Sequence, residues 1–554
     1  MKKISFQRIL QTLGFGLFAI LLWLAAFPLT APLPVDMFLR MDPLVFAGTC
    51  LSSRTFVTSL WTALLILALT PIIGRFFCST LCPMGTTIDM ADRLLLRKAP
   101  AGLHSIRHRK IKYLFLTLIL ASAFMGVSFV FLGSPLSLIT RFYGMIIYPI
   151  LCLLADMGLR SVRPIANSLD MTALAYAQTG SPRFALQWVT VFIFAGIFAC
   201  AFVSPRFWCR NLCPAGAIFA LFSFRPLIRR QVSEDCIDCG KCRKKCPMDA
   251  IAENPLITMH KECIVCQECV RICPVQAVSF SFSASIHDNP DLPRQIPSDF
   301  SQDRRKLIGA ALSGAGMAAV SMTGLNWRSS DIVPGEMLNP ALIRPPGSLP
   351  EKDFLSRCIR CGECMKACPT NTLQPAGLIS GFHGFFSPVI TPRRGPCEAQ
   401  CNICGQVCPT GAITSLPLEE KIWAKVGTAQ ILRHKCLAWE FDRKCLVCDE
   451  VCPYNAIDLK TLPDQKVPVP FVNESRCAGC GFCEFHCPVQ AKAAIVVEPM
   501  EAIRLKSGSY SQKGRDIGLD LHIRKSGEEG ESSYGTGTEN TLQGESGLPP
   551  GFTE

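Results

Sequence analysis

Cysteine spacing carries the chemistry of this 554-residue chain, which has 31 cysteines. Residues 236–247 read "CIDCGKCRKKCP" and residues 263–274 read "CIVCQECVRICP". Both are C-x2-C-x2-C-x3-C-P, the spacing with which bacterial ferredoxins hold 4Fe–4S cubes. Three closely spaced thiolates take one cube, and the fourth cysteine, whose proline turns the chain away, reaches the neighbouring cube. The expected ligand sets are Cys236, Cys239, Cys242 and Cys273 for one cluster, and Cys263, Cys266, Cys269 and Cys246 for the other. Zinc sites use paired C-x2-C units rather than a tandem triplet followed by Cys-Pro.

The second half repeats the theme four times. "CIRCGECMKACP" contributes Cys358, Cys361, Cys364 and Cys368, and "CAGCGFCEFHCP" contributes Cys477, Cys480, Cys483 and Cys487. "CEAQCNICGQVCP" is stretched by one residue, with Cys397, Cys401, Cys404 and Cys408. "CLAWEFDRKCLVCDEVCP" is stretched further, with Cys436 well ahead of Cys445, Cys448 and Cys452. Four more clusters are the simplest count, making about six in the chain. Which fourth cysteine serves which cube stays open here. No C-x-x-C-H occurs, so covalent c-type haem is excluded.

Two smaller motifs, "CSTLCP" (Cys78, Cys82) and "CRNLCP" (Cys209, Cys213), follow apolar segments. In one reading their four thiolates converge on a further redox or metal centre. In the other they are structural cysteines beside a proline turn. Cys50, Cys152 and Cys200 stand alone in apolar surroundings and read as inert core thiols.

The elements that must position these cysteines begin with a membrane half. The mean hydropathy is +0.29. Residues 13–28, 57–73, 112–132 and 185–204 are apolar and nearly free of charge, which predicts four spans, the first two slightly short. Residues 143–158 are also apolar, but Pro149 and the short length favour an interfacial or re-entrant piece. Net charge +13 could suit nucleic acid, yet much of it flanks apolar runs, where it sets topology, and no nucleic-acid partner is expected. Lys2, Lys3 and Arg8 precede the first span. Arg75, Arg93, Arg97, Lys98, Arg107, Arg109 and Lys110 fill the next loop on that side, and Arg206, Arg210, Arg225, Arg229 and Arg230 follow the fourth span. The opposite loops hold only Arg40, Arg54, Arg141, Arg160, Arg163 and Arg183, so the N-terminus and the Cys236–Cys273 region are expected in the cytoplasm.

Residues 301–322, "SQDRRKLIGAALSGAGMAAVSM", read as an export signal in mid-chain, with Arg304, Arg305 and Lys306 ahead of a weakly apolar run at 307–324. Clusters are assembled in a reducing compartment, and bare thiols sent unfolded into an oxidising one would pair as disulfides. Twin arginines mark a route for folded cargo. The alternative is a buried or linker helix that leaves the last domain inside. Beyond about residue 505 the chain turns Gly-, Ser- and Glu-rich and reads as a disordered tail.

With four spans, two C-x3-C-P loops, a two-cluster ferredoxin and "LPVDMFLRMDPLV" (33–45), the first half resembles NapH-type membrane quinol dehydrogenase subunits. The second half resembles the NapG/MauM-type exported ferredoxins, through the arginines at 304–305, "CPTNTLQPAG" (368–377) and "CPTGAI" (408–413). The resemblance implies a fusion of two usually separate proteins. The expected fold is an α-helical membrane domain, four spans plus a fifth, carrying α+β bacterial-ferredoxin-like domains. Its divisions are a four-span domain (1–225), a cytoplasmic two-cluster ferredoxin (226–285), a linker and fifth span (286–330), a periplasmic four-cluster domain (331–505) and a tail (506–554). The implied activity is electron transfer at a bacterial inner membrane, from the quinone pool to a periplasmic c-type cytochrome or terminal reductase. Quinol is the implied substrate. Asp36 and Asp42, with Arg40 and Arg141 nearby, are candidates to take its protons, or else interfacial charges that anchor a loop. Two alternatives stand beside it: a redox assembly or maturation factor for another metalloenzyme, and a conduit from a cytoplasmic ferredoxin.

Overall fold

The computed structural model describes residues 6–95, 109–168, 170–172, 176, 180–224, 226–282, 300–322 and 342–524. Lys2, Lys3, Arg97, Lys98, Arg107, Arg225 and residues 525–554 of the expected tail lie outside them.

The first half is helical. Among the described residues two helical runs are long and apolar enough to cross a membrane, Gln7–Leu24 and Pro135–Ser168. Four spans were expected; the other apolar stretches form shorter helices. The helices Trp61–Ile73, Ile111–Phe124 and Gln187–Ala199 have 13, 14 and 13 residues. At 1.5 Å per residue that is about 20 Å, short of the ~30 Å hydrocarbon layer. Backbone turns trim them: Gly74 (φ +79°) ends the first, Gly126 (φ +89°) follows the second, and left-handed Leu186 precedes the third. The 143–158 stretch, expected as a separate short piece, instead belongs to the continuous Pro135–Ser168 run. A π-helical turn at Tyr143–Ile147 lies just ahead of Pro149 and relaxes the hydrogen-bond register that proline would break.

Pro43–Ser53 and the first part of the long run, Pro135–Phe142, lie in the core, where Leu44, Val45 and Ile139 are fully buried. Asp42 caps the first, accepting from Leu44 N at 2.9 Å and Ser134 Oγ at 2.7 Å. The Phe300–Met322 helix, which begins just ahead of the two arginines, lies along Ile111–Phe124. A Cβ on Gly314 would run into the Leu118 carbonyl oxygen, so the contact requires glycine. This helix is not among the runs apolar enough to cross a membrane.

The two ferredoxin regions occupy opposite ends of this helical half. At one end Gln7 donates to the Val265 carbonyl, and Arg8 pairs with Glu268 at 2.7 Å. Glu262 receives Lys112 at 2.6 Å and Arg75 at 3.3 Å, while Asp249 receives Arg109 and Arg210. At the other end Lys366 Nζ donates to the carbonyls of Leu22, Trp23 and Ala25, capping the C-terminus of the first helix. Ser52 donates to the Ser356 carbonyl and Ser59 to that of Pro409.

The small domain between the halves closes on one antiparallel pair, Ile228–Val232 with Val278–Phe282. The last domain holds three antiparallel pairs. Leu373–Pro375 pairs with Pro388–Ile390, Thr428–Ile431 with Ile495–Glu498, and Ile457–Lys460 with Val469–Val472. It also extends further than its composition suggested. The helix Tyr510–Asp516 packs with Tyr510 buried, and Glu420 accepts from Ser509 Oγ and Ser511 N. The tail therefore begins later than residue 506, because Tyr510, Leu519 and Leu521 supply an apolar face that the Gly and Ser content masks.

Candidate redox sites

Backbone shape brings the cysteines inward. In each standard loop two residues take the left-handed conformation: Asp238 and Gly240, Val265 and Gln267, Arg360 and Gly362, Gly479 and Gly481. Left-handed residues also follow the Cys-Pro pairs, at Asp249, Gln276, Asn371, Gly411 and Asn455. These turns aim amides at sulfur. Ala250 N donates to Cys246 Sγ and Ala456 N to Cys452 Sγ, both at 3.3 Å. Ala494 N reaches Cys487 Sγ at 3.4 Å and Ile413 N reaches Cys408 Sγ at 3.5 Å. Amide donors of this kind stabilise negative sulfur and tune a bound cluster.

The cysteines ring separate cavities. Cys246, Cys263, Cys266 and Cys269 line one. Cys358, Cys361, Cys364 and Cys408 line a second. Cys452, Cys477, Cys480 and Cys483 line a third, and Cys436, Cys445, Cys448 and Cys487 a fourth. Cys397, Cys401 and Cys404 group with Cys368 through mutual electrostatic contact. The fourth cysteine of each motif in the last domain thus crosses to the neighbouring set, a pairing that spacing alone had left open. The longer spacing after Cys436 is taken up by the helix Leu437–Phe441 and left-handed Asp442.

A fifth cavity is lined by Cys78, Cys82, Cys209 and Cys213 together. Cys82 and Cys213 are buried in the main core of the helical half. Asp42 and Pro135, from the opposite loops, share the cavity wall. A wider repeat frames it, one the spacing reading missed: "RFFCSTLCPMG" at 75–85 and "RFWCRNLCPAG" at 206–216 share R-F-x-C-x3-C-P-x-G. The repeats are interlocked. A Cβ on Gly216 would lie 2.9 Å from Arg75 Nη2, and one on Gly85 would lie 3.8 Å from Arg206 Nη2. Arg75 and Arg206 are 1% and 3% exposed and both line the cavity, with Arg75 Nε and Arg206 Nη1 unpartnered. Internal comparison of the two C-x3-C-P loops, carried three residues either way, would have found them.

These surroundings fit a thiolate-bound anionic cluster. Burial pushes the Cys263 thiol up to about 12 and the Cys401 thiol up to about 11, so bare thiols here would stay protonated. A metal must draw the proton off. Among the described residues, no three His, Cys, Asp or Glu side chains close on a single-ion geometry. Cys50 and Cys200 are half-buried and Cys152 is buried. The candidate proton acceptors are engaged in structure. Asp36 pairs with Arg40 at 2.8 Å and Asp42 caps its helix, while Arg141 packs on Phe131 and Phe386 instead of on either aspartate.

Comparison with known proteins agrees with these cavities. A "4Fe-4S binding domain" family matches residues 55–101 and 186–231, which hold both C-x3-C-P loops, and another of that description matches 231–252. A "4Fe-4S dicluster domain" family matches 357–421 and 443–491. The chain is 34% identical over 214 residues to the methylamine utilization ferredoxin-type protein MauM of Methylorubrum extorquens, covering 36% of this chain and 91% of that protein. It is 32% identical over 220 residues to the ferredoxin-type protein NapG of Escherichia coli, 38% of this chain and 91% of NapG. The ferredoxin-type protein NapF of the same organism is 33% identical over 153 residues, 27% and 84% of the two chains.

Proposed function

Because the chain belongs to the ferredoxin-type proteins of the MauM and NapG kind, we propose that it is a transmembrane electron conduit of the bacterial inner membrane. It is an iron–sulfur electron-transfer protein with several 4Fe–4S domains. In this reading the 24 ferredoxin cysteines hold six clusters and Cys78, Cys82, Cys209 and Cys213 hold a seventh. A 4Fe–4S group in each set supplies one-electron transfer.

The observation that carries the reading is a continuous file of sites. Met248 and Ile264 wall both the Cys246 cavity and the four-cysteine cavity of the helical half. Pro135 lines that same cavity, and two residues on, Ser137 Oγ donates to the Ile359 carbonyl at 2.9 Å, inside the Cys358–Cys361 loop. Cys82, Cys213 and Cys361 belong to one apolar core. Farther out, Cys364 interacts with Cys404, Cys397 N donates to the Cys480 carbonyl at 2.7 Å, and Cys483 interacts with Cys448.

Membrane seating, with a NapH-type first half and the last domain in the periplasm, is favoured by exposed aromatic residues. Trp23, Trp61 and Trp188 are exposed on the helical half, at the helix ends nearest the last domain. Such residues sit at membrane interfaces. Electrons would leave at the Cys436, Cys445, Cys448 and Cys487 site to a periplasmic cytochrome or reductase. They would arrive from quinol at the helical half. Donation through the two-site inner domain is the second reading, favoured by that domain standing in line with the file. The test is anaerobic reduction of the purified protein by a menaquinol analogue. Reduction supports quinol as donor. Failure, with reduction by a low-potential ferredoxin, supports the second reading.

A further inference from the structure

Resting on that reading, we infer that Arg141 and Arg360 make the Cys358, Cys361, Cys364 and Cys408 site the most favourable place for an added electron at the junction of the two halves, so that electrons pass outward there. Both guanidiniums are buried, at 2% and 1% exposure. Arg360 lines the cavity, and Arg141 lies against its rim, where a Cβ on Gly362 would be 3.3 Å from Arg141 Cγ. Their polar contacts are to carbonyls. Arg141 donates to Phe131 O at 2.5 Å. Arg360 donates to the carbonyls of Ser128 at 2.7 Å, Cys358 at 3.3 Å and His383 at 2.6 Å. In each the Nε is unpartnered, and both stack on Phe131.

Three other buried arginines of the file differ, whereas Arg230, on the wall of the Cys246 cavity, likewise meets no carboxylate among the described residues. Arg75 reaches Glu262, Arg206 reaches Asp89 at 2.5 Å, and Arg344 reaches Glu351 at 2.5 Å. Among the described residues no carboxylate bridges Arg141 or Arg360. Glu351, the acid facing Arg360, is already shared by Arg344 and Arg504. Glu363, on the same cavity wall, makes no ion pair with either arginine, Lys366 beside it is bound to the carbonyls of Leu22, Trp23 and Ala25, and Asp36 is held by Arg40. Two uncompensated positive charges remain, and a buried charge without a counter-ion is costly. The anionic thiolate site is the counter-ion on hand. At the four-cysteine site of the helical half Asp89 balances Arg206, and Glu262 is divided between Lys112 at 2.6 Å and Arg75 at 3.3 Å, which leaves one positive charge there against two at the Cys358 site. Positive charge favours the reduced state, which carries one more negative charge. With a 4Fe–4S group in each site, one electron at a time would leave the four-cysteine site and enter the Cys358 site; an inner ferredoxin would refill the former singly, and one quinol would refill it twice, releasing two protons as it becomes quinone.

The experiment is a redox titration of the anaerobically purified full chain, followed by electron paramagnetic resonance, with iron counted in parallel. Arg360→Gln and Arg141→Gln should each lower the potential of one signal only, cutting its reduced-to-oxidised ratio at a fixed potential about tenfold, or 59 mV for one electron. Arg360→Lys, which keeps the charge, should leave it near the wild-type value. In wild type this signal should titrate above the one lost in a Cys82→Ala/Cys213→Ala variant. Unmoved signals in both Gln variants, an equal fall in Arg360→Lys, or the reverse order of the two wild-type signals would each overturn the inference. A Cys82→Ala/Cys213→Ala variant with unchanged iron would instead sink the underlying reading of the four-cysteine site.

Discussion

The Arg75 guanidinium lies 2.9 Å from where a side chain on Gly216 would begin, so the arginine of one C-x3-C-P repeat fills the space the other repeat leaves by having glycine. Gly85 faces Arg206 in the same way, but its tightest neighbour is the Cys78 carbonyl, 2.9 Å from where a Cβ would stand. Each loop is thus shaped by the other, and the four cysteines come together only when both are seated.

Gly216→Ala should therefore push Arg75 and strain Cys213, at an overpacking cost of about 1–3 kcal/mol. The expected outcome is a fall from about 28 to about 24 iron atoms per chain, four per cube, with the signals of the ferredoxin domains retained. Iron analysis and electron paramagnetic resonance measure it. Full iron retention would show that the repeats are not interlocked.

Lys366 joins the halves by donating to three carbonyls at the end of the first helix, at 2.5, 3.0 and 2.9 Å, with its ammonium 4.4 Å over the Tyr148 ring. Lys366→Met leaves those carbonyls without this donor at a buried junction, a loss of about 3 kcal/mol. A lower denaturant midpoint for the last domain, with the inner domain unaffected, is the expected result.

Glu351 fixes the extended C-terminal part of the last domain through Arg344 and Arg504. Burial works to raise its pKa, yet the two guanidiniums hold it below its ordinary 4.5. The sign follows: the stabilisation is fully present above the unfolded value and is lost as pH falls through the lower folded value. Glu351→Gln should flatten that acid limb and, by leaving buried Arg344 unpaired, lower stability at neutral pH by about 3–5 kcal/mol. Thermal unfolding across roughly pH 3–7 checks both.

Much of the site was legible because cysteine spacing is set by cluster chemistry: all 24 ferredoxin cysteines fall in motifs that pattern alone picks out. The exchange of fourth cysteines in the last domain was not, since it depends on how two loops pack across strands such as Thr428–Ile431 and Ile495–Glu498. Helix lengths were misjudged because apolar runs do not reveal left-handed breaks at Gly74, Gly126 and Leu186. Arg141 was counted among the loop charges and Arg360 stood unremarked inside a cysteine motif, and only the tertiary fold shows them buried without a carboxylate.

The proposed electron path stands or falls on one file of sites joining the inner domain to the outer one through Cys78, Cys82, Cys209 and Cys213. The direct measurement uses the full chain in sealed, oriented vesicles, with a membrane-impermeant reductant supplied at the inner-domain face and electron paramagnetic resonance read for every site. Wild type should show the outer-domain signals reduced, while Cys82→Ala/Cys213→Ala should reduce the inner domain and leave the outer signals oxidised. Outer reduction that persists in the variant, or is absent in wild type with the inner domain reduced, would rule out a path through these four cysteines.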